Sequence, residues 1–426
     1  MIPDGGTTLD VSTAGAETAP AQRSQPSSRR RLPTGLIGVF ALAPLISGTI
    51  GRFVHTRHWF ADYEAVACAS QHALHGEAFY SLHLACPMMR AAVYVYPPIV
   101  AQVGAYLLGV FGGSGAAALY GACFWGAVSF LLWAAIRGHG GGSARARAPF
   151  LALISGSAVF WGNIAVIAHG AIAAAALVLE AQPWALIVAI AVAATIKPVF
   201  LTYLAIPLLA PGRFWRRVFR CGVGVVLGLL PTVLFMVFGG ASFFEWQALL
   251  HHFVLDTTPG VGFLGWLSFA NLNDLGLGMA WAAFAALLVG ASLIIAEKGD
   301  VSRRGRIWLG LTVATLLNPR LMSEDLFLLG PGLVVAAEAL GAAAGPITTR
   351  GLNGFYGAVC CLTALLTLAG GRLGQQLAIA AFVIALLVIG GVLSVRAWRP
   401  RRGGDTGCHT SPQILTEGSQ GRDTGT

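Results

Sequence analysis

Charged residues are scarce in this sequence. They make up 11% of its 426 residues, against roughly 25% in ordinary soluble domains, and only 18 of them are acidic. Hydrophobic residues make up 56% of the chain, so most of it cannot face water. The composition excludes soluble enzymes, secreted disulfide-rich proteins and nucleic-acid-binding proteins, and it predicts an all-α, polytopic membrane protein.

Motifs for nucleotide and metal chemistry are also missing. The chain has no phosphate-binding loop of the Walker type, no dinucleotide fingerprint and no zinc motif, which argues against a nucleotide-driven pump. Its seven cysteines show no metal-ligand spacing. Cys68 and Cys86 fall in one predicted external loop, where an oxidising compartment permits a disulfide. The sequence leaves open whether these two cysteines meet.

The basic residues lie in short clusters between apolar runs, and they give the chain its net charge of +9. Such clusters orient membrane spans by staying in the cytoplasm, so they predict no nucleic-acid partner. The clusters assigned to the cytoplasmic side are Arg137–Arg147, Arg213–Arg220, Lys298–Arg306, the stretch ending at Arg350, and Arg396–Arg402. If all of these clusters are cytoplasmic, the chain must cross the membrane an even number of times between one cluster and the next. At about 20 residues for each full span, this requirement predicts about 12 transmembrane helices.

The chain divides into a membrane domain over residues 35–396 and two polar tails. Residues 1–34 and 397–426 are predicted to be cytoplasmic, the first tail disordered. The outer side then receives two long loops, 54–95 and 240–275. Residues 96–136 are interpreted as one full crossing plus a shallow or re-entrant segment, with two full crossings as the alternative.

The first external loop contains a predicted amphipathic helix over residues 59–76. Its apolar face is formed at i, i+4, i+7 and i+8 by Trp59, Tyr63, Val66 and Ala67. Gly76 is suited to the C-terminal end of this helix. Asp62 lies near its N-terminal end, close to where the first span leaves the membrane. Asp62 is either a carboxylate that faces a cleft above the bilayer or a helix-start residue stabilised by exposed amides.

Two further basic residues stand at predicted external turns. Lys197 precedes Pro198 between two short apolar runs, with no acidic residue within ten positions on either side. Ionisable residues at such breaks usually serve an ion or a substrate; the alternative is snorkelling to the interface. Arg320 is a second candidate cation, or a simple salt-bridge partner of Glu324 or Asp325.

The order and spacing of several short motifs resemble one group of membrane glycosyltransferases, the polyprenol-phosphate-mannose-dependent mannosyltransferases of glycosyltransferase family 87, in the C-type superfamily. The motifs that carry the resemblance are Asp62-Tyr63, Gly76, Tyr80, Val95-Tyr96-Pro97-Pro98, Gly162-Asn163, Lys197-Pro198 and Asn318-Pro319. The chain departs from the usual pattern at Val66, at Asn163 and after Pro319. These departures affect the expected identity of the sugar and the acceptor more than the expected type of reaction.

The resemblance implies a C-type glycosyltransferase fold in the plasma (inner) membrane, with its active site on the periplasmic or extracellular side. It implies that Asp62 is the general base in an inverting transfer of a sugar, mannose above all, from a polyprenyl-phosphate donor to a lipid or glycan acceptor. The predicted substrate-binding residues are Lys197, Arg320, Tyr63, Tyr96, Asn163 and His58. No cofactor is expected, and whether a divalent ion assists is left open.

Two other classes of function compete with this interpretation. A carrier or flippase for lipid-linked saccharides also uses broken helices and an intramembrane lysine. An assembly or scaffold protein without chemistry is the third candidate. The long external loop, with its acidic and aromatic residues, favours the transferase.

Overall fold

The computed structural model describes residues 34–55, 59–87, 89, 93–257, 259–268, 270, 272–369 and 372–398. These residues form helices and loops and contain no strand, which confirms the predicted all-α class. The predicted tails lie outside the described residues, apart from the helix ends at Thr34 and Trp398. The helices are α1 (Thr34–His55), α2 (Ala61–Leu74), α3 (Pro98–Arg137), α4 (Ala144–Arg147), α5 (Gly156–Val159), α6 (Ile164–Val178), α7 (Pro183–Ile196), α8 (Ala205–Leu209), α9 (Phe214–Phe238), α10 (Ala241–His251), α11 (Phe263–Leu267), α12 (Asp274–Lys298), α13 (Arg303–Leu317), α14 (Leu329–Ala344), α15 (Pro346–Leu368) and α16 (Leu373–Trp398).

Six helical segments of the described chain are long and apolar enough to cross a membrane. They are α3, α9, α12, the segment Ser323–Ala344, α15 and α16. The prediction of about 12 transmembrane helices is wrong as a count of full-length spans. It took short apolar runs for crossings, and those runs form shorter helices: Ala41–Val54, Ile164–Val178, Pro183–Ile196 and Pro198–Leu209.

Helix α3 is interrupted near its middle. Gly112 adopts φ 67° and ψ 174°, which breaks the helix into residues 98–111 and 113–137. Glycine takes this backbone conformation without steric cost because it has no Cβ. Only the second part has the length of a full span. The shallow or re-entrant placement of the first part stays a prediction.

The basic clusters meet at one end of the helix bundle, here called the basic end. Arg306 donates to the carbonyl oxygen of Leu209 and to Glu297, and Arg217 donates to the same carboxylate at 2.8 Å. The indole of Trp308 donates to the carbonyl oxygen of His139 at 2.8 Å. These contacts join three of the five clusters that the sequence assigned to a single side: 137–147, 213–220 and 298–306.

The two predicted external loops meet at the opposite end, here called the site end. The indole of Trp246, in α10, donates to the carbonyl oxygen of Val95 in the first loop at 3.1 Å. The backbone of Val261 donates to the carbonyl oxygen of Leu321 at 2.7 Å, which ties the second loop to the turn after α13. Residues distant in sequence are thereby brought together at the site end.

Helices α13 and α14 form the centre of the bundle. Every residue from Ile307 to Leu317 is buried, as are those from Leu329 to Ala337. A helix that is apolar on all sides finds its place inside a protein core. The turn between these two helices, residues 318–328, is therefore held by a rigid support, and it projects toward the site end.

Candidate functional site

Asp62 lies in the first turn of α2 and is partly buried. The helix begins at Ala61 because Phe60 adopts a left-handed conformation, with φ 61°. The backbone of Phe60 donates to the carbonyl oxygen of Phe160 at 3.1 Å, and that of Asp62 donates to the carbonyl oxygen of Trp161 at 2.9 Å. The start of α2 is thus anchored to the loop before α6.

The predicted helix over residues 59–76 is therefore confirmed in position but not in its first turn. Trp59 does not belong to the apolar face of α2, because it precedes the helix and packs against Phe53 and Phe160, with ring centroids 4.3 and 5.0 Å apart. Val66 and Ala67 are buried as predicted. The ring of Tyr63 turns to Tyr120, at a centroid distance of 4.5 Å.

Gly162 makes the anchoring of α2 possible. Its φ is +69°, and a Cβ added there would lie 2.2 Å from Cδ1 of Phe60. Gly162→Ala should therefore destabilise the fold by about 2–4 kcal/mol, the sum of backbone strain and overpacking. The matched control is Gly76→Ala, where φ is +72° and the added Cβ meets nothing within 4 Å. Thermal unfolding in detergent should show a larger drop in Tm for Gly162→Ala, and equal drops would contradict this account.

The environment of Asp62 combines low solvation with positive charge. Burial raises the pKa of the Asp62 carboxyl group above its ordinary value, and the positive charges of Lys197, Arg320 and Arg52 oppose this rise. Arg52, at the end of α1, is buried and lies over the Trp161 ring at 4.6 Å. A carboxylate in such surroundings is a stronger base than one in water and has cations within electrostatic reach.

Asn163 connects four elements of the site. Its side-chain oxygen caps α6 by accepting from the backbone of Ala165 at 2.9 Å. The same oxygen accepts from the hydroxyl of Tyr96 at 3.3 Å and from the ammonium of Lys197 at 3.2 Å, while its nitrogen donates to Glu324 at 3.1 Å. Asn163, one of the predicted substrate-binding residues, thus holds Lys197 and Tyr96 in place, and its contact with a substrate stays a prediction.

Lys197 occupies the break between two helical segments, as the sequence predicted. Helix α7 ends at Ile196, and a 3₁₀ turn begins at Pro198. The ammonium lies 5.1 Å from the centre of the Tyr96 ring, a cation–π geometry. The side chain is thus held beside residues of the first external loop.

Arg320 is carried by the turn that follows α13. Its guanidinium lies over the ring of Phe253, at 5.2 Å, and its backbone donates to the side chain of Asn318 at 3.1 Å. Glu324 and Asp325 lie within electrostatic reach of Arg320, and so does Asp62. Arg320 thus faces the same carboxylates that the sequence offered as salt-bridge partners.

The turn that carries Arg320 is fixed by a buried network that sequence reasoning missed. Asp325 accepts from Asn318 at 3.1 Å and from the backbone of Met322 at 2.9 Å. Its other oxygen lies 2.8 Å from Nε2 of His169, whose Nδ1 lies 2.5 Å from the hydroxyl of Tyr203. In neutral His169, Nε2 donates to Asp325 and Nδ1 accepts from Tyr203.

One signal for this network was present in the sequence. His169 is an ionisable residue inside the apolar run of α6, and such residues usually face the bundle interior and find a partner. The sequence offers Glu324 only as a salt-bridge partner of Arg320, whereas it is a buried carboxylate bonded to Asn163. The predicted site residue His58 lies outside the described residues.

Cys68 and Cys86 form a disulfide that ties α2 to the rest of the first loop, with 5.7 Å between their Cα atoms. The ring of His72 lies near both sulfur atoms, at a spacing that could hold a metal ion. While the two sulfurs are bonded to each other, this group offers no thiolate ligand. The disulfide is therefore best understood as a structural brace of the loop that carries Asp62.

Comparison with protein-family models, with curated proteins and with solved structures gives no match for this chain.

Proposed function

We propose that this membrane protein is a glycosyltransferase that moves a sugar from a polyprenyl-phosphate donor to a lipid or glycan acceptor. The sugar suggested by the motif resemblance is mannose. The observation that carries the proposal is the partly buried carboxylate of Asp62 at the start of α2, with Lys197 and Arg320 in electrostatic reach. An acceptor hydroxyl needs a base, and a phosphate leaving group needs fixed cations; this site offers both.

The proposed step is a single displacement. The acceptor oxygen attacks the anomeric carbon and forms the new glycosidic bond, while the bond from that carbon to the phosphate oxygen breaks. Asp62 takes the proton of the acceptor hydroxyl. The electron pair of the broken bond stays on the polyprenyl phosphate, whose added negative charge faces Lys197 and Arg320. One displacement inverts the configuration at the anomeric carbon.

Asn163 and Tyr96 act by holding Lys197 rather than by touching the sugar. Tyr63 lies next to Asp62 on α2, and the proposal assigns to the sugar the side of its ring that does not meet Tyr120. The proposed architecture is that of the C-type glycosyltransferases, in which the polyprenyl tail would lie between helices.

The membrane side of the site is part of the proposal. Basic clusters at the opposite end favour a cytoplasmic basic end. The Cys68–Cys86 disulfide favours an oxidising compartment for the site end. Together they support a plasma (inner) membrane protein whose site faces the periplasm or the exterior.

A topology measurement tests this orientation. Reporter fusions after Ser143 and after Arg217 should both report the cytoplasm, since both positions lie at the basic end. A fusion after Gly76, at the site end, is the matched control and should report the outer side. An outer-side signal from either of the first two fusions would contradict the orientation.

The direct test of the proposed function is transfer by the purified protein in detergent. Radiolabelled polyprenyl-phosphate mannose is incubated with a total lipid extract, and labelled products are separated by chromatography. A labelled glycolipid that forms only with the protein supports the transferase, and its structure names the acceptor. Hydrolysis alone, or no product with mannose, glucose and arabinose donors, would contradict it.

A carrier for lipid-linked saccharides is the second candidate, and the breaks at Gly112 and Lys197 favour it. The two functions differ in what they need. A carrier moves a fluorescent lipid-linked saccharide across vesicles without changing it, whereas a transferase forms product in detergent, where no second compartment exists. Vesicle transport without product formation would replace the proposal.

A further inference from the structure

A cavity lies at the basic end, the end of the bundle opposite to Asp62. It is an open cavity of about 520 Å³ between the start of α7 and the first turns of α9. Its lining consists of three arginines and three aromatic residues: Arg213, Arg216, Arg220, Trp184, Trp215 and Phe219. The proposed sugar transfer uses none of these residues.

The three arginines form a positive surface on α9. Their spacing of i, i+3 and i+7 puts them on one face of the helix. Within the part of the chain that the structure describes, no acidic side chain lies within ion-pair distance of them. The neighbouring Arg217 differs, since it points into the protein and bonds to Glu297. The cavity is therefore built to receive a negative charge, and the start of α9 adds the positive end of a helix dipole.

The aromatic residues indicate that this negative charge belongs to an amphiphile. Trp215 is 78% exposed and Phe219 is 66% exposed, which is typical of residues at the level of lipid headgroups. The ring of Trp184 lies 6.5 Å from that of Phe219 and 5.9 Å from the guanidinium of Arg220. The cavity thus has a cationic rim and an aromatic wall.

An apolar surface leads from the cavity along both helices. On α7, Val188 and Val192 follow Trp184 at intervals of four residues, and they are 53% and 61% exposed. On α9, Val226 follows Phe219 at an interval of seven residues on the same face and is 66% exposed. A molecule with a phosphate group in the cavity could lay acyl chains along this surface, whereas a free phosphate ion would not use it.

We propose that this cavity binds the headgroup of an anionic phospholipid from the leaflet at the basic end. Arginine suits this ligand because its planar guanidinium gives two parallel hydrogen bonds to phosphate oxygens. The site is independent of the proposed transferase activity and would hold equally in a carrier.

Lipid binding to the purified full-length protein tests the proposal. Native mass spectrometry in detergent measures how many phosphatidylglycerol molecules stay bound as the lipid is titrated. R213Q/R216Q/R220Q should weaken the tightest phosphatidylglycerol site about 100-fold, which corresponds to about 1 kcal/mol for each arginine. Should this variant not fold, R213Q/R216Q changes only two exposed side chains and should weaken binding about 30-fold at the same cost for each arginine.

The matched control removes the same charge from the same end of the protein. R137Q/R145Q/R350Q changes three exposed arginines outside the cavity, and it should leave the tightest site intact. An equal loss in both variants would show general attraction to the anionic lipid and would overturn the proposal. Equal retention of phosphatidylcholine, or displacement of the lipid by equimolar inorganic phosphate, would overturn it too.

Discussion

Asp62→Asn is expected to lower sugar transfer by about 10²- to 10⁴-fold, the usual contribution of a positioned general base. Asparagine has nearly the same shape, so the anchoring of α2 to the carbonyl oxygens of Phe160 and Trp161 should persist. The donor should still bind, and the loss should therefore appear in kcat. Initial rates of glycolipid formation, together with an unchanged Tm, would isolate the chemical role of this carboxylate.

The pH dependence of the same reaction gives an independent check. In the proposed role, Asp62 can take a proton only when it is ionised, and burial raises its pKa. The rate should therefore fall, as the pH is lowered, at a midpoint above the ordinary aspartate value of about 3.9. In Asp62→Asn this acid limb should disappear from the residual rate.

A matched control for Asp62 lies in the same loop. Glu77 is exposed and pairs with His72 at 2.8 Å, and Glu77→Gln should retain the wild-type rate. Glu324 is the rival base, because it is a buried carboxylate that accepts from Asn163, the residue that also bonds Lys197. A larger loss in Glu324→Gln than in Asp62→Asn would move the role of the base to Glu324.

Local patterns predicted what depends on local chemistry. Hydrophobic periodicity indicated the helix that carries Asp62, and the Lys197-Pro198 pair indicated a break. The first turn of α2 was missed, because a phenylalanine with φ near 60° is rare and its conformation is set by Gly162 and the carbonyl oxygen of Phe160. The sequence around residue 60 alone does not contain that information.

The connections that assemble the site are non-local, and no periodicity reveals them. Asn163 and Glu324 are separated by 161 residues, and His169 and Asp325 by 156. Only the presence of ionisable groups in apolar surroundings hinted that partners must exist. The partners themselves follow from how α6 packs near the turn after α13, which is decided by the whole bundle.

The span count was missed for a related reason. Hydropathy measures how apolar a run is, but it does not tell whether a run of about 12 residues faces lipid or another helix. Helix α7 ends at Ile196 and the next short segment runs from Pro198 to Leu209, so the break at Lys197 divides an apolar stretch in a way that hydropathy does not register.

Lys197→Met is the second change with a large expected effect. Lys197 has three N–H donors, of which one goes to Asn163, so donors remain for phosphate oxygens. Removing one fixed donor of this kind typically costs about 10²- to 10³-fold in rate. Because the leaving phosphate carries more negative charge in the transition state than in the bound donor, kcat should fall further than KM rises.

The chain offers a close control for this variant, since Lys197 and Lys298 are its only lysines. Lys298 is exposed at the basic end, so Lys298→Met removes the same group far from the site and should leave the rate unchanged.

In Lys197→Met, Asn163 still accepts from Tyr96 and Ala165, and the site should keep its shape. A donor with a better leaving group than alkyl phosphate should then lose less rate in Lys197→Met, because its departure depends less on a cation. Wild-type kcat/KM in Lys197→Met, or an equal loss with both donors, would remove Lys197 from the chemistry and leave Arg320 as the cation that meets the phosphate.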